Sequence, residues 1–314
     1  MTGELAELSA LVGAPVVAAE ACGWGFENRT AIATLADGGR LVIQRMAGRA
    51  IARHKLRLAR ALPARLAAAG LRAPRLLAGD ASAKPPYAVR EYLPGETGAS
   101  RMGTLSGAIE IAGLMGQLLP RLARVPTAGA GLGAAWADPP RLADLSGKYL
   151  ARCQELLGAP AARQLADTIA RLPARFAGRP ACFAHGDFCP VNVLLETGDV
   201  GLGAGRADEA PRPEPHAPAV AGLIDLEFAR VADPLFDAAW WGWVVRFHHP
   251  ERWAAAYPHL LAAAGIADDE ATRARIQALQ RLRCLEVVDY HLRTGRPDGA
   301  AMWADRLRAT LDWK

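Results

Sequence analysis

Residues 185–192, HGDFCPVN, constrain this 314-residue chain more than any other stretch. They place the carboxylate of Asp187 five residues before the amide of Asn192, and a second carboxylate, Asp225, follows that amide by 33 residues. Apolar runs flank the set: VLL comes after Asn192 and GLI before Asp225. Runs of this kind bounded by polar residues read as short buried strands. Taken singly, each polar residue has an ordinary explanation, since loops are rich in Asp and Asn that bond their own backbone. The ordered set of loop acid, amide, strand, strand and second acid is far more specific than any of its members.

Protein kinases use this order: a histidine-x-aspartate loop, an asparagine five residues on, and a later metal-binding aspartate. In that chemistry the first Asp accepts the proton of an attacking hydroxyl, while the Asn and the second Asp hold magnesium. By this correspondence Asp187 is the candidate catalytic acceptor, which requires hydrogen-bond reach to a substrate hydroxyl. Asn192 and Asp225 are the candidate magnesium ligands. His185 is read as structural, because its kinase counterpart is not the catalytic residue. Asp237, at a helix start after Asp-Pro and before AAWW, is expected to be a buried acid that accepts hydrogen bonds from the loop backbone.

Upstream, residues 31–35 and 40–46 read as strands joined by the hairpin signal Asp37-Gly38-Gly39. The turn CGWGFENRT leads into them, and its small residues would let backbone amides approach phosphate oxygens. The second strand ends in Gln44-Arg45, where kinases put a phosphate-reaching lysine. A basic helix is expected over 50–69, interrupted or kinked at Pro63. It carries no acid to pair with a strand cation, since none occurs between Asp37 and Asp80. Residues 87–93 read as a strand stopped by Pro94-Gly95, the expected hinge near 90–95.

From residue 104 the spacing turns helical, over 104–124, 141–157 and 161–177, and again over 234–247, 250–264, 269–293 and 298–311. Residues 1–94 are therefore expected to form a nucleotide-binding lobe, and 95–314 a helical lobe with substrate-binding helices over 234–311. The Gly-, Pro- and Ala-rich stretch 197–219 reads as a flexible insertion. Trp240, Trp241 and Trp243 read as core.

The net charge of +5 raises nucleic-acid binding as a rival. The excess is local, however. Ten Arg or Lys (40, 45, 49, 53, 55, 57, 60, 65, 72, 75) fall in an acid-free span, and most read as a solvated helix face. The chain lacks the basic, aromatic-interleaved stripe that nucleic acids require. Five scattered cysteines without a CxxC pair argue against a disulfide framework or zinc and for a reducing cytosol. No apolar run approaches a membrane span, and no signal peptide is evident. The expected form is a cytoplasmic monomer or homodimer that engages neither membrane nor nucleic acid.

The stretches GWGFENRT, LVIQRM, PYAVREYLPGE, HGDFCPVNVLLE and GLIDLEFARVADPLFDAAWW resemble the aminoglycoside phosphotransferase/choline kinase-like superfamily of small-molecule kinases, in family order. The resemblance implies a two-lobed α+β kinase-like fold, with an antiparallel N-lobe sheet and a mainly helical C-lobe. It also implies ATP, or GTP as in some members, and magnesium. Asp187 then matches the catalytic Asp, Asn192 and Asp225 the metal ligands, and Arg45 the phosphate-contacting strand residue. Gly25, Asn28, Glu91 and Leu93 fall in the stretches that contact nucleotide. The C-terminal run LQRLRCLEVVDYHLRTGRPDGAAMWADRLRATL is similar to the end of hygromycin-type antibiotic kinases. A cationic antibiotic would need an acidic cleft, for which Glu227, Glu286 and Asp289 are the candidates; an internal ion pair is the other reading of Asp289. An amino sugar, sugar, choline or homoserine kinase is the alternative within the class. A non-catalytic or nucleic-acid-binding relative is the alternative outside it.

Overall fold

A computed structural model describes residues 2–22, 28–196 and 219–313, with the side chains of Thr2 and Asn28 outside the description. Gly25 and nearly all of the expected insertion lie outside the described residues. The chain divides into two compact units, one of residues 1–100 with 191–227, the other of 101–190 with 228–314. The division differs from a single break at 94/95. Strand pairing draws 191–227 into the first unit, because β8 (Val193–Leu195) pairs with both β6 (Glu96–Thr97) and β9 (Val220–Leu223). Leu93 packs there with Leu194 and Ala221.

The first unit opens with α1 (Thr2–Val12) and β1 (Val16–Ala21). The predicted hairpin follows as β2 (Asn28–Leu35) and β3 (Arg40–Met46), with the Gly39 amide donating to Asp37 Oδ1 in the turn. Next come α2 (Arg49–Ala68), β4 (Leu76–Asp80) and β5 (Tyr87–Glu91), completing an antiparallel sheet in the order β1-β2-β3-β5-β4. Directly paired residues share a face of a sheet, and faces alternate along a strand. Ile43 and Val89 therefore join Leu8 of α1 on one side. Met46 and Ala88 join Ala52 and Leu56 of α2 on the other. The helix approaches so closely that a Cβ on Gly79 would lie 2.5 Å from Leu56 Cδ2.

Of the two outcomes expected at Pro63, the interruption does not occur: α2 continues through it. A proline removes one helical hydrogen bond, and buried Leu62 and Leu66 on either side hold the adjoining turns. The break falls instead within 161–177, which splits into α5 (Ala159–Ala170) and α6 (Leu172–Arg175), with a proline in the first turn of the second helix.

The second unit is mainly helical: α3 (Leu105–Leu122), α4 (Pro139–Leu157), α5 and α6, then α7 (Phe236–His248), α8 (Pro250–Ala263), α9 (Glu270–Arg293) and α10 (Pro297–Leu311). A two-stranded pair, β7 (Cys182–Ala184) with β10 (Arg230–Ala232), sits among them. The core is aromatic. Trp243 stacks on Trp240 at 4.9 Å and donates from its indole to Thr310 Oγ1 at 2.8 Å, so its polar edge is satisfied. Among the described residues, no helix is long and apolar enough to cross a membrane.

Candidate functional site

The loop after β7 is built by one buried carboxylate. Asp237, in the first turn of α7, accepts the backbone N–H of His185 at 2.7 Å and of Gly186 at 3.0 Å. Burial pushes its carboxyl upward in pKa, opposed by His185 and those two amides. A helix N-terminus favours negative charge, which suits the position. Gly186 is demanded twice over. Its φ is +85°, and a Cβ there would lie 1.9 Å from the Phe228 carbonyl oxygen. His185 is fully buried against Phe188, and the Asp187 amide donates to its Nδ1 at 3.3 Å.

This bend leaves Asp187 half-buried, with Oδ1 accepting the Trp240 indole N–H at 2.7 Å. Sequence reading placed Trp240 in the core and missed this contact. The signal was its spacing: Asp237 and Trp240 are three apart on one helix, so both turn toward the loop. Arg283 lies over the same indole, its guanidinium carbon 5.3 Å from the ring centroid.

The first unit carries the other two candidates of the motif, Asn192 and Asp225. Val193 pairs with Leu223, and the Ile224 amide donates to the Asn192 carbonyl at 3.0 Å. Asn192 and Asp225 thereby emerge at the same end of neighbouring strands. Asn192 is buried, and Asp225 is half-buried with φ +60°, a left-handed conformation uncommon outside glycine. Among the described residues, no group of three or more His, Cys, Asp or Glu is placed to hold a metal ion. One amide oxygen and one carboxylate make an incomplete shell, which suits magnesium, an ion bound through one or two carboxylates plus phosphate and water oxygens.

The remaining candidates are less simply placed. Arg45 lies on the α1 side of the sheet and pairs with Glu7 at 2.9 Å. Gln44 shares the α2 side with Met46, its neighbour two residues on. The acid that sequence reading sought in α2 for the strand cation is thus supplied by α1. In the stretch expected to form the hinge, Leu93 is buried against β8 and β9. The Glu91 amide donates to the Arg75 carbonyl. The Glu91 carboxylate takes Arg72 at 2.9 Å and Arg75 at 3.3 Å, which hold its pKa down against the opposing effect of burial.

The three acids considered for a cationic substrate each have internal cationic partners, and for Asp289 this is the internal ion pair that was its other reading. Glu227 pairs with Lys55. Glu286 accepts from Arg230 at 2.9 Å and Arg283 at 2.5 Å; burial raises its pKa, but the two guanidiniums outweigh that and bring it to about 2. Asp289, fully buried, takes Arg152 at 2.5 Å and Arg293 at 2.8 Å. Burial pushes the thiols of Cys153, Cys182 and Cys284 up to about 12, which keeps them protonated at neutral pH.

The model of the Phosphotransferase enzyme family matches residues 18–204, more than half of the chain. No curated protein matches it. Several solved structures share the fold over nearly their whole length. The GDP and kanamycin complex of APH(2")-IIia superposes with a TM-score of 0.74 at 14% identity, covering 99% of this chain and 98% of that one. Macrolide 2'-phosphotransferase MphH from Brachybacterium faecium gives 0.67 at 18% identity, with 98% of each chain covered. A ternary complex of a thermostable APH(4)-Ia mutant with ADP and hygromycin B gives 0.67 at 17% identity, covering 98% and 97%.

Proposed function

Because this chain belongs to the phosphotransferase enzyme family, we propose that it transfers the γ-phosphoryl group of ATP to a hydroxyl of a small molecule. Asp187 accepts the proton of that hydroxyl. Asn192 and Asp225 offer the oxygens that would hold magnesium. When bound, magnesium neutralises charge that builds on the transferred group. The observation that carries this reading is the construction of the loop: two backbone amides on Asp237, a glycine that no other residue can replace, and an indole N–H on Asp187. A carboxylate fixed this way meets its substrate with little reorganisation, the condition for efficient proton acceptance. GTP is the alternative donor, supported by the GDP in the APH(2")-IIia complex.

For the acceptor, likeness in fold to kanamycin- and hygromycin-bound structures supports a cationic antibiotic. A second reading has its own support. Glu227, Glu286 and Asp289 each pair with the protein's own cations, with which an aminoglycoside amine would have to compete. A neutral acceptor, such as a sugar, requires no such acids. Acceptor-dependent ADP release should be measured over aminoglycosides, macrolides, hygromycin-type antibiotics, amino sugars, sugars, choline and homoserine, with and without EDTA. Release stimulated by one class and abolished by EDTA is expected. Stimulation by none of them, or release indifferent to EDTA, would overturn the proposal.

A further inference from the structure

The turn bearing Asp225 raises a question of support. Its backbone sits in a sparsely populated region, with φ +60° at a β-carbon-bearing residue, and such conformations persist only where the surroundings over-determine them. Two residues beyond, Glu227 is gripped twice by α2. The Lys55 ammonium, 4% exposed, pairs with its carboxylate, 15% exposed. His54 Nε2 lies 3.0 Å from its carbonyl oxygen. Arg57 stands 3.1 Å from His54 Nδ1, and a guanidinium can only donate. Nδ1 is therefore the acceptor, and Nε2 carries the proton given to Glu227. Lys55, Arg90, Asp225 and Glu227 line one cavity, in which Arg90 Nε is buried without a hydrogen-bond partner.

The sequence explains why the charges run this way. With no acid between Asp37 and Asp80, α2 has no carboxylate to offer β3, and Arg45 of β3 turns to Glu7 instead. The buried charge of α2 is a cation, and the acid that meets it stands on the Asp225 turn.

We propose that Lys55, with His54, is a positioning residue: it latches α2 to Glu227 and thereby holds the Asp225 carboxylate in its metal-binding orientation. The inference rests on the reading of Asp225 as a metal ligand. Supporting residues of this kind tune metal affinity because they fix the ligand's orientation. Loss of stability alone says nothing of this role, since removing one partner of any buried ion pair destabilises a fold.

The test is Mn²⁺ binding to the full chain in the presence of ADP, followed by electron paramagnetic resonance, beside ADP binding without metal. Lys55→Met should weaken Mn²⁺ binding by about 10- to 100-fold, leave metal-free ADP affinity within about threefold of wild type, and be rescued by Lys55→Arg. Should Lys55→Met fail to fold, Glu227→Gln is measured in its place with the same expectation. Mn²⁺ affinity unchanged in these variants but lost in Asp225→Asn would overturn the latch and spare the metal site. Mn²⁺ affinity unchanged in Asp225→Asn itself would overturn the metal-ligand reading, and the latch with it.

Discussion

The loop at His185–Gly186–Asp187 and the turn at Asp225–Leu226–Glu227 both place a carboxylate, and they are supported in different ways. The loop is tied by backbone amides to Asp237 and needs glycine at its bend. The turn is tied by an ion pair to Lys55 and a histidine hydrogen bond from His54, both on α2. Both supports reach a distant helix: the loop gives two backbone amides to one carboxylate of α7, and the turn is held by two side chains of α2. The loop's support shows in the sequence as a glycine at the bend and an acid after Asp-Pro, and the turn's support has no such local mark.

The comparison can be broken at either end. Asp237→Ala removes the acceptor of two buried amides, and with about 1–3 kcal/mol for each unsatisfied group the expected loss is about 2–6 kcal/mol, read from urea unfolding. A loss below about 1 kcal/mol would show that the loop has other support. Next in size is the acid sensitivity of Glu286, whose pKa is depressed from 4.5 to about 2. A depressed carboxyl stabilises the fold above its unfolded pKa, and the contribution is lost as pH falls through the folded one. On the order of 3 kcal/mol should therefore disappear between pH 4.5 and 2 in wild type, and not in Glu286→Gln. Equal acid profiles for the two proteins would refute the assignment.

A smaller effect separates orientation from packing. Trp240→Phe keeps an aromatic ring in the stack but deletes the N–H given to Asp187. A hydrogen bond to a charged group is worth about 1.5–3 kcal/mol, so kcat should fall roughly tenfold or more. KM for nucleotide should stay the same, and an unchanged kcat would remove Trp240 from the account. The smallest effect concerns the turn. Burial, then Arg57 and Lys55, hold the His54 pKa below the ordinary histidine value. The unfolded chain then binds the proton more readily, so this contribution is complete above about pH 6.5 and is lost as pH falls below it. Unfolding midpoints at pH 7.5 and 5.5 should differ less in His54→Gln than in wild type. An equal difference would detach His54 from the turn.

How much was legible follows the same division. The HGD loop, the amide at five and the later Asp were readable because their chemistry is carried by spacing along the chain. The hairpin and long helices were readable from turn residues and periodicity. The edge strands β1 and β4 were not, because VVAAEA and LLAGD have little alternation or β-branching to announce them. The acids Glu227, Glu286 and Asp289 were seen, but their partners were not. Lys55 lies 172 residues from Glu227, Arg230 lies 56 from Glu286, and Arg152 lies 137 from Asp289. Lys55 did leave a trace, since it stands in the apolar stripe with Ala52, Leu56, Ala59 and Leu62. A cation in that stripe is a buried charge seeking an acid.

The central claim is that Asp187 accepts the proton of a hydroxyl during phosphoryl transfer, and its most direct measurement compares Asp187→Ala with wild type on the best acceptor from the ADP-release panel. Turnover should fall by about 100-fold or more, while nucleotide affinity with magnesium stays near wild type. Normal turnover in Asp187→Ala would contradict the account.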